Sequence, residues 1–132
     1  MKWLRRMLNR DEGSAAAEFV MVGGLLTILT LSVMQLGLAL HIRNTLLDAA
    51  SEGARFGALA DNRLEDGVAR TQDLIETAIG TAYSDDVTAR RGSYLGHPSA
   101  IVTVRAPLPL IGLFGVAHGL EVVGHAAIET LD

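Results

Sequence analysis

The chain lacks cysteine altogether among its 132 residues. Disulfides, thiolate metal sites and cysteine nucleophiles are therefore excluded. Basic residues are also few, with 11 Lys and Arg against 15 Asp and Glu and a formal net charge of −4. Beyond residue 12 they are scattered, which argues against nucleic acid as a partner because phosphate binding requires clustered Lys and Arg.

Signatures of catalysis and of metal binding are missing from the sequence as well. The four histidines show none of the close pairings of a metal-binding helix such as H-x-x-x-H; they are His41, His97, His118 and His125. No G-x-S-x-G motif is present, no phosphate-binding Lys follows the glycines near residue 115, and the acidic pair at 85–86 lacks the alternating ligands of a calcium loop. The sequence predicts no enzyme, no cofactor, no metal and no small-molecule substrate.

The most informative feature is an apolar run from Phe19 to Leu40, which contains 22 residues and no charge. As a helix with about 1.5 Å of rise per residue it measures roughly 33 Å, which matches a hydrocarbon core of about 30 Å. We therefore predict a single membrane span over about residues 19–40.

Charges on either side of this run predict its orientation. Beyond Leu40 there are seven basic and twelve acidic residues, whereas the first 13 residues are rich in basic side chains: Lys2, Arg5, Arg6 and Arg10. Basic residues before a span favour retention of that end in the cytoplasm. We expect a cytoplasmic N-terminus and an extracytoplasmic C-terminal part.

Two other interpretations of the same segment remain open. A secretory signal peptide has the same outline, and Gly37-Leu38-Ala39 has the form of a cleavage site. Its apolar region, however, normally measures about 7 to 15 residues, which is shorter than this run. The second alternative is a plain, uncleaved anchor.

A carboxylate stands at the start of the apolar run, at Glu18. Near the bilayer centre such a group costs about 2.5 to 3.5 kcal/mol, so it calls for a partner. A cut after Gly13 would give Ser14 a new amine, mostly protonated at neutral pH and one helical turn from Glu18. The alternative is that Glu18 lies at the headgroup level and is solvated.

A basic leader ending in Gly13, followed by Glu18, Phe19 and a long apolar helix, resembles the class III signal of type IV prepilins and pseudopilins. The longer stretch 13–58 is similar to the TadE-like family of the Flp, or tight-adherence, pilus system; its exit segment, 43–55, is the family's second recognisable part. The resemblance implies a bacterial inner-membrane protein that a prepilin peptidase cuts after Gly13, so that Ser14 becomes the mature N-terminus and Glu18 its fifth residue. We assign Glu18 and Phe19 to subunit assembly and register on this basis. The resemblance also implies a minor pseudopilin, with other pilins or pseudopilins and pilus assembly platform proteins as partners.

Two stripes of small residues lie at helical spacing. The first follows the span and contains the ladder Ala49, Gly53 and Gly57; its members are Ile42, Leu46, Ala49, Ala50, Gly53, Gly57, Ala60 and Leu64. Such a ladder suits close packing with a partner helix, or an ordinary core covered by the protein's own C-terminal part. The second is a candidate helix-association face in the membrane; it runs through Gly23, Thr27, Thr30, Met34, Gly37 and His41.

Three segments are predicted: a leader over 1–13 that the peptidase would remove, a span and stalk helix over 14–60, and a head over 61–132. In the head, Asn62 and Glu65 resemble a capping box that starts a second helix, which Gly80 ends. β-Branched runs at 100–106 and 120–128, with a weaker candidate at 87–90, predict a small antiparallel sheet. The expected fold class is α+β and pilin-like.

The apolar segment 107–115 between the two stronger strands contains two prolines and is predicted to be a loop, because proline removes ladder donors. It lies under the head, touches the membrane, or contacts a partner. The sequence as a whole favours an assembly component without chemistry of its own. The alternative function is a generic single-pass anchor that presents a small extracytoplasmic binding domain.

Overall fold

Residues 2–108 and 119–130 are described by the computed structural model. Helix α1 covers Lys2–Ala58 and helix α2 covers Leu64–Ile79, followed by a 3-10 turn at Thr81–Tyr83. Strands β1, β2 and β3 cover Asp86–Tyr94, His97–Ala106 and Leu120–Ala127. This content confirms the predicted α+β class with a long N-terminal helix, a second helix and a small antiparallel sheet.

The chain divides into two compact units, Met1–Leu36 and Gly37–Asp132. The first unit consists of the N-terminal part of α1, and the large apolar side chains that the structure describes in it are exposed. Among the residues that the structure describes, α1 is the one helix long and apolar enough to cross a membrane, and none of its most apolar window is buried. This arrangement supports a single-pass membrane anchor.

The second unit begins with residues 37–58 of α1, and Asn62 closes that helix. The Asn62 side-chain amide donates to the Phe56 carbonyl at 2.8 Å, and its backbone N–H donates to the Leu59 carbonyl at 3.0 Å. The sequence predicted Asn62 as the N-cap residue of α2, with Glu65 as its capping-box partner. This prediction is wrong by one residue, because Arg63 is the N-cap residue. The Asn62 side chain satisfies an orphan carbonyl of α1, so it is not available to cap α2.

Helix α2 is capped by its own first turn. The Arg63 backbone N–H donates to the Asp66 carboxylate at 2.7 Å, which is one half of a capping box. At the other end, Gly80 adopts a φ of 98° and its N–H reaches the carbonyls of Ile75 and Glu76. Gly80 ends the helix as the sequence predicted, because a positive φ favours glycine.

The sheet is antiparallel in the order β1-β2-β3. The weak strand candidate at 87–90 is part of the longer β1, which a two-residue turn at Leu95-Gly96 joins to β2. Both turn residues have positive φ, 51° and 80°, as a type I′ hairpin requires. For a leucine this backbone costs roughly 1–2 kcal/mol, and the Leu95 side chain is 81% exposed.

One face of the sheet packs on both helices. Alternate side chains of β2 and β3, including Val102, Val104 and Val122, join Leu46 of α1 and Ile75 of α2 in one buried cluster. The other face carries an exposed ion pair in which the Arg105 guanidinium donates to Glu121 at 2.9 Å. The hydrogen bond and charge of Glu121 raise the pKa of Arg105.

Strand β3 runs alongside α1 in the same direction. A Cβ added at Gly124 would collide with the backbone of Ala50 and Ser51. Further along, the Glu129 N–H donates to the Ala58 carbonyl at 3.0 Å. These contacts fix which residues of the sheet lie level with which turn of α1.

The predicted apolar loop at 107–115 lies outside the described residues from position 109 onward. Its second residue, Leu108, is partly buried and packs against the core cluster.

We predict that Asp66→Ala lowers the free energy of unfolding of the second unit by about 1 kcal/mol, because the Arg63 N–H loses its acceptor. Glu65→Ala is the matched control, since it removes a carboxylate from the same turn without removing a cap bond. Chemical denaturation of the detergent-solubilised full chain, followed by far-UV circular dichroism, measures both. Equal losses in the two variants would show that the helix dipole, and not the cap, is responsible.

Candidate assembly site

The junction predicted from the sequence lies within α1, and its side chains are exposed. The Gly13–Ser14 peptide bond is inside the helix, and Glu18 follows Ser14 by one helical turn. No hydrogen bond or ion pair joins the Glu18 carboxylate to another described side chain. Phe19, which follows it, is 79% exposed.

The uncut chain offers Glu18 no cation at the position of Ser14. The nitrogen of Ser14 is an ordinary amide within α1. Residues four apart on a helix lie about 6 Å apart along the axis on one face, so an amine at Ser14 would be within reach of the Glu18 carboxylate. Ser14 and Glu18 therefore lie on one face of α1, one helical turn apart.

The hydroxyl groups of Thr27, Thr30 and Ser32 in the apolar run are satisfied within the helix. The hydroxyls of Thr27, Thr30 and Ser32 donate to the carbonyls four residues earlier, each at 2.8 Å. A Cβ added at Gly23 or at Gly37 would meet nothing within 4 Å. Any association of this segment with another helix would therefore use close packing at small residues more than hydroxyl bonds between helices.

The stripe that follows the span is covered by the chain's own second unit. Gly53 and Gly57 of α1 face Gly67 of α2, and the Thr71 hydroxyl lies where a Cβ of Gly53 would be. Ala49, Gly53 and Gly57 are buried as a result. Two alternatives were stated for this ladder: a partner helix or the protein's own C-terminal part. The structure contains the second, because α2 covers the ladder.

Two members assigned to the stripe do not share this packing. Ala60 is exposed beyond the end of α1, and Leu64 is the first residue of α2. A single helical period does not continue across the turn at residues 59–62, where the chain leaves the helix. The prediction is wrong for these two residues for that reason.

Sequence reasoning missed Gly67, the α2 side of this contact. It is buried, and a Cβ there would lie 2.6 Å from the Gly53 carbonyl oxygen. The available signal was a glycine inside an otherwise good helical pattern, which lowers helix propensity and often marks close packing.

Sequence reasoning also missed a groove between the two helices. It has a volume of about 290 Å³ and is lined by Thr45, Asp48, Ala49, Glu52, Leu74 and Ala78. Asp48 and Glu52 are exposed at its rim, one helical turn apart. Helical periodicity along α1 alone does not show that α2 runs beside these two carboxylates.

The histidines are dispersed in the described part of the chain. His41 and His97 are exposed, and the His125 ring lies against Tyr94 with ring centroids 3.7 Å apart. His118 lies outside the described residues. Within the described residues, no group of three or more His, Asp or Glu side chains is placed to hold a metal ion.

Comparison with known proteins gives one match. Residues 13–55 match the family model of the TadE-like protein, which confirms the resemblance drawn from the sequence. The matched range contains the junction, the apolar run and most of the small-residue ladder. No curated protein and no solved structure matches the chain.

We predict that Gly53→Ala lowers the free energy of unfolding by about 1–3 kcal/mol, the usual range for overpacking a well-packed site. The new methyl group would meet the Gly67 backbone, 2.7 Å from its carbonyl oxygen, and backbone cannot rotate away. Gly37→Ala is the matched control, because its methyl group would meet nothing. Thermal unfolding of the detergent-solubilised chain measures both, and equal stability of the two variants would contradict the close packing of α1 on α2.

Proposed function

We propose, from the match of residues 13–55 to the TadE-like family, that this chain is a minor pseudopilin of a Flp-type pilus assembly or secretion apparatus. Its work is structural, and it acts through its membrane helix and its head. The match carries the proposal because it covers the features that a pilin-type subunit needs: a processing site, a span and the helix that leaves it.

Processing is the first step of the proposed role. A prepilin peptidase on the cytoplasmic face cuts after Gly13, and Ser14 becomes the mature N-terminus. The leader that is removed carries Lys2, Arg5, Arg6 and Arg10, which keep this end in the cytoplasm beforehand. The absence of bulky side chains at Gly13 and Ser14, both exposed, supports access to the bond.

Pairing of the Glu18 carboxylate with the new amine is the second step of the proposed role. Cleavage creates an α-amino group with an unperturbed pKa near 8, so it is mostly protonated at neutral pH. The exposed carboxylate of Glu18, which has no partner among the described side chains, binds this amine on its own chain or on a neighbouring subunit. Pairing offsets the cost of a carboxylate at the start of the apolar run and fixes the register between subunits.

The proposed partners follow from this role. They are the prepilin peptidase, other pilins or pseudopilins, and proteins of the pilus assembly platform in the inner membrane. The head, residues 61–132, faces the extracytoplasmic side, where its acidic balance is compatible with export.

We predict that N-terminal peptide and intact-mass measurements on protein from its native membrane find a mature start at Ser14. Deletion of the prepilin peptidase should leave an intact start at Met1. A start at Leu40 in both strains would identify a secreted domain. An intact Met1 end in both strains would leave a generic anchor with a binding domain, and either result would contradict the proposal.

We predict that Glu18→Ala is cleaved normally but does not join other pilus subunits, because no carboxylate remains to pair with the new amine. The measurement is its co-purification with these subunits from solubilised membranes, beside its N-terminal mass. Glu12→Ala is the matched control, since cleavage removes that position from the mature protein. Normal assembly of Glu18→Ala would show that Glu18 is merely solvated at the headgroups.

A further inference from the structure

The groove between α1 and α2 combines an apolar floor with an acidic rim. Ala49 is buried and Leu74 half-buried at the floor, and Asp48 and Glu52 are exposed at the rim. Neither carboxylate forms an ion pair with a described side chain. Such a groove suits an arginine, whose aliphatic stem covers apolar surface while its planar head binds carboxylates.

The uncovered face of the sheet supplies a cation of this kind. Arg90 of β1 is exposed on this face, in a row with Ile101 and His125, which are its successive partners across the strands. It forms no ion pair with a described side chain, whereas Arg105 on the same face is held by Glu121. Of the two arginines that the structure describes on this face, Arg90 is therefore the one available to a partner.

The acidic groove and the uncovered sheet face lie on opposite sides of the second unit. Gly124 of the sheet packs against the backbone of Ala50. Asp48 and Glu52 are each two residues from Ala50, and two residues correspond to a rotation of about 200° around a helix. The groove thus opens away from the sheet, and Arg90 cannot reach the groove of its own chain.

The two surfaces also lie at matching heights along α1. Gly124 is level with Ala50 and Ser51, and its neighbour His125 is in the row of Arg90. The level of Ala50 lies midway between Asp48 and Glu52. Two copies placed side by side with their residues 37–58 of α1 parallel and level therefore present Arg90 and the two carboxylates at about the same height along α1.

We propose that the groove between α1 and α2 binds the sheet face of a second copy of this chain, with Arg90 of that copy seated between Asp48 and Glu52. The inference deepens the proposed function and rests on it, because it names a partner surface for assembly. Charge complementarity and matched height point to a second copy as the occupant. The contact is heterologous: one copy of the pair keeps a free sheet face and the other keeps a free groove, so the arrangement extends in one direction.

A zero-length cross-link tests this contact directly. The chain contains one lysine, Lys2, which lies in the leader. Arg90→Lys keeps the charge and places an amine on the sheet face, and a carbodiimide joins amines to carboxylates that touch. In a mixture of isotope-labelled and unlabelled full-length chains in membranes, we expect cross-linked peptides that join position 90 of one copy to Asp48 or Glu52 of another.

Arg91→Lys is the matched control for this experiment. Arg91 is equally exposed but points to the opposite side of the strand, because successive side chains alternate. Cross-links from position 91 to the groove at the same yield, or their absence from position 90, would overturn the proposal.

Charge reversal provides a second, independent test. Arg90→Glu should reduce co-purification of two differently tagged full-length copies by at least about tenfold, because like charges across an interface are strongly unfavourable. A chain that carries both Asp48→Arg and Glu52→Arg should show the same reduction. Mixing the two reversed chains should restore binding, and Arg91→Glu should change nothing. Unchanged co-purification of Arg90→Glu, or no rescue in the mixture, would overturn the contact.

Measuring the N-terminal mass in the same samples separates this inference from the proposed function. A mature Ser14 end without the cross-link would overturn the contact between copies and leave the processing role in place. The cross-link in a chain that keeps its Met1 end would overturn the pseudopilin role and leave a self-associating anchored head.

Discussion

The close approach of α1 and α2 at three glycines is the constraint on which the second unit depends. Gly53, Gly57 and Gly67 bring the two backbones into contact, and a methyl group at any of these positions would meet backbone or the Thr71 hydroxyl. Because the helices are this close, Leu46 and Ile75 reach the same cluster as the inward side chains of the sheet. The position of the sheet, and with it the level of Gly124 beside Ala50, follows from that packing.

The same constraint assigns different roles to two groups of small residues that look alike in the sequence. The two glycines of α1 after the span, Gly53 and Gly57, are used inside the molecule, against α2. The glycines of the apolar run remain uncovered, and a methyl group added to any of them would meet nothing within 4 Å. Surfaces for other subunits must therefore be sought in the apolar run, around Glu18, and on the charged surfaces of the second unit, and not at Gly53 and Gly57.

Much of the fold follows from local signals. The uncharged run, the positive-φ glycine at the end of α2 and the β-branched strands are governed by near neighbours, so the sequence predicts them well. The missed features depend on distant contacts. Asn62 was expected to start α2, but its amide is engaged by a carbonyl of the preceding helix. Gly67 and the acidic groove acquire their meaning only when α2 lies beside α1, and periodicity along one helix cannot show which face another helix covers.

The internal hydrogen bonds of the apolar run have a consequence for how this segment behaves in different surroundings. The hydroxyls of Thr27, Thr30 and Ser32 donate to carbonyls of their own helix, so their acceptors move with the segment. Their donors are not exchanged when lipid neighbours are replaced by protein neighbours, so these three hydroxyls contribute little to the free energy of moving the segment sideways from a bilayer into a bundle of helices. Such a segment is easily transferred between the two environments, and the free energy of that transfer is governed by packing and by the one carboxylate at its start.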